Sequence, residues 1–335
     1  MGMLVDGVWT QDDEVRNKTD KSGAFKRAES GFRNWITTDG APGPSGQGGF
    51  APANGRYHLY VAMNCPWAHR TLLMRSFKGL EDTISLDKTV PSRTDQGWYF
   101  NEDYVDTILG TSALHEVYTA ADTEVTGRVT VPVLWDKERE TIVSNESAEI
   151  IRMMNEAFDA FSNDDRDMYP EDLRSDIDSW NELIYNTVDN GGVPVYRAGF
   201  SSSQSAYDEA VRGVFETLDK LEVHLMENRY LCGDRFTEAD VRLFPTLIRF
   251  DVAYFGAFKC NLRRLIDYPN LWAYTREIYQ MSGARHGRAV IRGDVSVRHP
   301  DRRSDRPGVP GRYAIAEVSP RPPRSSQCGS GRRAG

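Results

Sequence analysis

The chain has 335 residues, 39% of them hydrophobic and 27% charged, which suits two packed domains and excludes a disordered or fibrous polypeptide. The net charge of −8 is uneven: after Ser282 there are twelve Arg and four acidic residues, leaving −16 on the rest, an acidic body that argues against nucleic acid as a partner. No apolar run approaches the ~20 residues of a membrane span, and Met1–Thr10 has neither the basic start nor the apolar core of a signal peptide.

In chain order, Ala41–Asn54 (APGPSGQGGFAPAN) reads as irregular loop. Tyr57–Met63 places Tyr57, Leu59, Val61 and Met63 on alternate positions and predicts a strand. An amphipathic helix follows from Pro66 through Leu72, Leu73, Met74 and Phe77 and ends near Gly79. Ile84 and Leu86 suggest a second strand, Val131–Trp135 a third that begins at a proline, and Thr141–Val143 a fourth after the polar turn Asp136–Glu140. Ser144–Ser147 then opens a helix with Ile150, Ile151, Met154 and Phe158 on one face.

From Pro170 the pattern is helical throughout. Leu173, Ile177, Trp180, Leu183, Ile184 and Val188 form one stripe, and Tyr207 to Leu225 another. Thr237-Glu238-Ala239-Asp240 starts a third helix with a capping signature, and Asn270–Met281 is a fourth. The expected fold is therefore α/β followed by all-α, a thioredoxin-like N-terminal domain and an all-helical domain in the manner of glutathione transferases. The expected divisions are an extension over residues 1–54, a thiol-binding domain over 55–165, a helical domain over 166–282 and an Arg-rich tail over 283–335. That tail lacks Leu, Phe and Trp, and Gly and Pro supply 14 of its residues, so it is expected to form no core of its own.

Cys65, Cys232, Cys260 and Cys328 lack metal-ligand spacing and a disulfide pattern, so no metal is expected and a reducing cytoplasm fits best. Cys65 stands apart. It lies between strand and helix, where unpaired backbone N–H groups and the helix dipole favour the anionic thiolate. Pro66 at the first helical position has no N–H to lose there. With proline next and no second cysteine near, the site is monothiol: it forms one mixed disulfide and needs an external thiol to resolve it. The other reading is an inert cysteine at a helix start. Pro132, at the head of a strand, is expected to be cis and to turn the Val131 backbone toward an extended peptide-like thiol; an ordinary edge proline is the alternative. At Glu146-Ser147 the hydroxyl and helix N–H groups suit a carboxylate and Glu146 an ammonium, the two ends of a γ-glutamyl group, unless the pair merely caps its helix.

These residues carry a family resemblance. Tyr57–Arg70 (YHLYVAMNCPWAHR), Gly97–Phe100 (GWYF), Gly127–Asp136 (GRVTVPVLWD), Asn145–Ser147, Val195–Phe200 (VYRAGF), Phe236–Phe244 (FTEADVRLF) and Phe258–Pro269 (FKCNLRRLIDYP) resemble the xi-class glutathione transferases, the S-glutathionyl-hydroquinone reductases, over residues 3–282. The resemblance implies that Cys65 is the nucleophile and that Trp98, Arg128, Val131, Pro132, Glu146 and Ser147 hold glutathione. It implies that Tyr196 gives a proton to the quinol oxygen and that Tyr254 stabilises the thiolate. The implied substrates are a small thiol, glutathione or another γ-glutamyl thiol, and a quinone-derived compound, with a homodimer as assembly and no nucleic acid or membrane partner. An omega-like thiol transferase and a non-catalytic thiol-binding domain are the alternatives. The family's Tyr-Tyr-x-x-His and Ile-Asn-Pro-Thr-Gly segments do not follow Tyr279-Gln280-Met281. Residues from about Gly283 are therefore expected to be read out of frame, or the pocket to lack one wall.

Overall fold

The computed structural model describes residues 2–11, 29–189 and 195–285. Met3–Val5 (β1) and Val8–Thr10 (β2) form a hairpin turned by Asp6 and Gly7, both at positive φ. Tyr57–Val61 (β3) runs to Pro66–Phe77 (α1) and then to Ser85–Lys88 (β4), which pairs parallel to β3. A second hairpin, Arg93–Thr94 (β5) with Gly97–Trp98 (β6), precedes Leu114–Ala121 (α2). Val133–Asp136 (β7), Thr141–Ser144 (β8) and Ser147–Glu156 (α3) complete the N-terminal half. The main sheet has the order β4-β3-β7-β8, with β7 antiparallel to both β3 and β8.

All five residues of β3 are buried, His58 and Tyr60 included, because the strand is central and covered on both faces. β7 begins at Val133 rather than at Val131; Val131 and Pro132, joined by the expected cis peptide bond, stand outside the ladder. α2 escaped the sequence pattern because its eight residues bury only Leu114, Val117 and Tyr118 and its first residue has no side-chain cap. The β1–β2 hairpin carries a local signal in Asp6-Gly7 between apolar residues.

The helical half consists of Arg174–Ile184 (α4), Val195–Phe200 (α5), Gln204–Glu227 (α6), Glu238–Leu247 (α7) and Pro269–Gln280 (α8). Wide helical turns over Tyr185–Asp189 and Phe250–Tyr254 interrupt it. α7 opens with a reciprocal cap between Thr237 and Asp240. It packs against α1, where Arg70 donates to the Arg242 carbonyl at 3.0 and 3.2 Å, joining the two halves. Gly283–Arg285 makes a short turn with Ala284 only 2% exposed. The remainder of the basic tail, where the expectations of missing order or a shifted frame fall, lies outside the described residues, as does Cys328.

Candidate active site

Cys65 caps α1 in extended conformation, with Pro66 in the first turn and no acidic residue there. Its Sγ is half-buried and donates to the Val131 carbonyl at 3.6 Å, so the β3–α1 loop and the segment before β7 converge on the sulfur. The other described cysteines differ. Cys260 is fully buried, which pushes its thiol up to about 12. Cys232 is raised by burial.

At the start of α3 the two candidate residues divide the work. Glu146 is itself the helix cap: its Oε1 accepts from the Ala148 N–H at 3.2 Å and its Oε2 from the Ser30 hydroxyl at 3.0 Å. Ser147 Oγ is buried and has no hydrogen-bond partner among the described residues. An orphaned buried hydroxyl at a helix N-terminus is a ready donor to a carboxylate, and this fits the γ-glutamyl end of glutathione. Ser30, which sequence reasoning missed, joins this corner from the irregular N-terminal segment.

Trp98 is 4% exposed, and the Arg93 guanidinium lies 4.1 Å from its ring centroid. Arg128 is half-buried next to Gly127, which bridges to Leu4 of β1. The N-terminal hairpin therefore braces this side of the site twice. Trp9 donates to the Asp95 carbonyl at 2.9 Å, stacks on His115 at 4.7 Å and lies against Gly97, leaving no space for a side chain there. Trp9→Ala is expected to loosen the Trp98 hairpin and raise the KM for glutathione about fivefold with kcat little changed, as initial-rate kinetics will show.

The helical half brings the tyrosines together. Tyr196 on α5 meets Tyr254 at 5.9 Å between ring centroids, Phe258 at 5.2 Å and Trp67 at 6.2 Å. Tyr254 is 2% exposed. Burial pushes the Tyr196 hydroxyl up to about 12, and the charge of Cys65 adds to this; a hydrogen bond from Tyr254 and the charges of Arg249 and Arg93 oppose it. A tyrosine so placed holds its proton at neutral pH and delivers it only to a strongly basic atom. The arrangement places a half-buried thiol at a helix N-terminus, an unpartnered buried hydroxyl at a second helix N-terminus, and a cluster of aromatic rings with a protonated tyrosine. Among the described residues no group of three or more His, Cys, Asp or Glu could hold a metal ion.

The glutathione S-transferase N-terminal domain family matches residues 64–157, and the C-terminal domain family matches residues 204–277. Glutathionyl-hydroquinone reductase YqjG of Escherichia coli is 53% identical over 287 residues, covering 84% of this chain and 86% of the relative. The glutathione-bound structure of YqjG superposes with a TM-score of 0.77 at 50% identity, over 85% of this chain and 87% of that one. A xi-class transferase from Natrialba magadii gives 0.79 at 43% identity, over 90% of each chain. The chain belongs to the xi-class glutathione transferases, the family of the glutathionyl-hydroquinone reductases.

Proposed function

We propose that this chain is a glutathione-dependent reductase that removes glutathione from glutathionyl-hydroquinones through Cys65. The supporting observation is an aromatic cluster of Tyr196, Tyr254 and Phe258 in which Tyr196 feels the charge of the half-buried Cys65 and meets Trp67 of the helix that Cys65 opens. The Cys65 thiolate attacks the glutathionyl sulfur; the sulfur–carbon bond breaks, the Cys65–glutathione disulfide forms, and the ring departs with the electron pair and the proton that Tyr196 supplies. The thiolate of a second glutathione then attacks the glutathione sulfur of that disulfide, releasing oxidised glutathione and returning Cys65 as thiolate. A proton from solvent restores Tyr196. Trp98, Arg128, Val131, Pro132, Glu146 and Ser147 hold the tripeptide.

Intact-protein mass spectrometry after one turnover without free thiol tests this reading: a single glutathione adduct on the Cys65 peptide and stoichiometric free hydroquinone are expected. No adduct, or faster turnover of a glutathionylated protein than of a glutathionyl-hydroquinone, would overturn it in favour of the non-catalytic or thiol-transferase reading. Gly199, one turn from Tyr196, has no room for a Cβ, which would meet Phe258 Cδ1 at 2.0 Å. Gly199→Ala is therefore expected to shift the aromatic wall and lower kcat/KM for the hydroquinone adduct about tenfold while glutathione affinity holds.

The chemistry consumes reduced thiol, which supports a reducing cytoplasm. No described helix is long and apolar enough to cross a membrane. A homodimer is supported by the exposed apolar side chains of Val223, Met226, Leu262 and Ile266, on α6 and on the segment tied to it by the Arg263–Asp219 pair.

A further inference from the structure

The site contains a buried cation with no carboxylate to balance it. Arg249 is 4% exposed, and no Asp or Glu among the described residues pairs with it. Its Nη2 donates to the Met63 carbonyl at 3.1 Å, two residues before Cys65. Its Nη1 donates to the Pro245 carbonyl at 3.0 Å and to His69 Nδ1 at 2.9 Å. A guanidinium has only donors, so His69 accepts through Nδ1 and is the neutral tautomer protonated on Nε2. His69 in turn donates its backbone N–H to the Cys65 carbonyl at 3.0 Å. The Arg249 carbonyl accepts from the Ala253 and Tyr254 N–H groups at 2.9 and 3.4 Å, which sets the turn that carries Tyr254. One residue thus grips the loop of Cys65 with its side chain and the turn of Tyr254 with its backbone.

Burying a charge is costly unless an opposite charge offsets it. The acidic groups whose charge Arg249 feels are Tyr254, Cys65 and Tyr196. We propose that Arg249 is a positioning residue that supplies the fixed positive charge against which the Cys65 thiolate, and the Tyr196 oxygen as it gives up its proton, become negative. The guanidinium is held by two carbonyls and a neutral imidazole, so none of its hydrogen-bond partners carries a compensating negative charge. The other groups facing Cys65 and Tyr196 are Arg93, from the β5–β6 hairpin, and Tyr254. His69, which faces Arg249 from α1, is held neutral by burial and by Arg249 itself.

This inference rests on Cys65 as nucleophile; full turnover in Cys65→Ser would remove that reading, whereas the following profile decides the present one. The pH dependence of Cys65 alkylation by iodoacetamide is measured in full-length protein, with the labelled peptide identified by mass spectrometry and folding checked by circular dichroism. Arg249→Gln is expected to move the half-maximal pH upward by about one unit and to slow alkylation at pH 7 about tenfold; Arg249→Lys, which restores a charge, is expected to recover more than half of the shift. A folded Arg249→Gln protein with the wild-type profile would overturn the proposal, since a merely structural residue lowers stability without moving the profile. So would a shift confined to Arg93→Gln. Should Arg249→Gln fail to fold, the wild-type chain still decides: Cys65 must react at lower pH in the native protein than in urea, and equality overturns the proposal.

Discussion

Cys65→Ser is expected to lose at least about a thousandfold in turnover of a glutathionyl-hydroquinone while glutathione binding changes less than about threefold. A serine hydroxyl is un-ionised at neutral pH, no carboxylate or imidazole among the described residues is hydrogen-bonded to this position, and oxygen cannot form the mixed disulfide that the second thiol must cleave. Neither Cys232 nor Cys260 can substitute, since burial raises both thiols and Cys260 is closed to solvent. Glutathione affinity is expected to survive because the proposed contacts at Ser147 Oγ and the α3 N-terminus lie on another element. Steady-state kinetics with quenching of intrinsic tryptophan fluorescence measures both quantities. More than a tenth of wild-type turnover in the variant would remove the sulfur from the mechanism. Equal losses of binding and turnover would make Cys65 a structural residue.

The parts of the fold that rest on strong local patterns were legible in the sequence. The β3–α1 junction is announced by an apolar run, then Cys65-Pro66, then a helical stripe, and the start of α7 by Thr237 with Asp240 three residues later. Val131-Pro132 and Glu146-Ser147 were legible as backbone devices, though which residue of the latter pair caps α3 depends on the approach of Ser30 from far along the chain. What could not be read is what depends on tertiary contact. Nothing around Trp9 announces that it props Gly97, and nothing in Leu247-Ile248-Arg249-Phe250 announces a buried cation, because an arginine between apolar residues reads as the solvated edge of a helix. The meeting of Tyr196 and Tyr254 is likewise set by α5 and the wide turn of Phe250–Tyr254, neither of which has a pattern of its own.

Asp240 bears on stability as Cys65 does on chemistry. Its carboxylate is fully buried and accepts from the Thr237 N–H at 2.8 Å, the Leu231 N–H at 3.0 Å, the Tyr274 hydroxyl at 2.8 Å and the Thr237 hydroxyl at 3.2 Å. Asp240→Ala leaves these donors in the interior without an acceptor and is expected to cost about 3–5 kcal/mol in urea unfolding. The loss should reach the site, because α7 ends two residues before Arg249. The charge itself is a burden: desolvation outweighs the four hydrogen bonds and raises the carboxyl to about 6. The folded chain then binds this proton more tightly than the unfolded chain, whose aspartates titrate near ~4. The stabilisation linked to that proton is complete below about pH 4 and is lost as pH rises through about 6. Asp240→Asn has no such proton. Its deficit relative to wild type is therefore expected to be largest near pH 4 and to shrink by about 2–3 kcal/mol by pH 7. A deficit that stays constant across this range would mean that the carboxylate is not desolvated, and that the cap alone, rather than cap and buried charge together, sets the stability of α7.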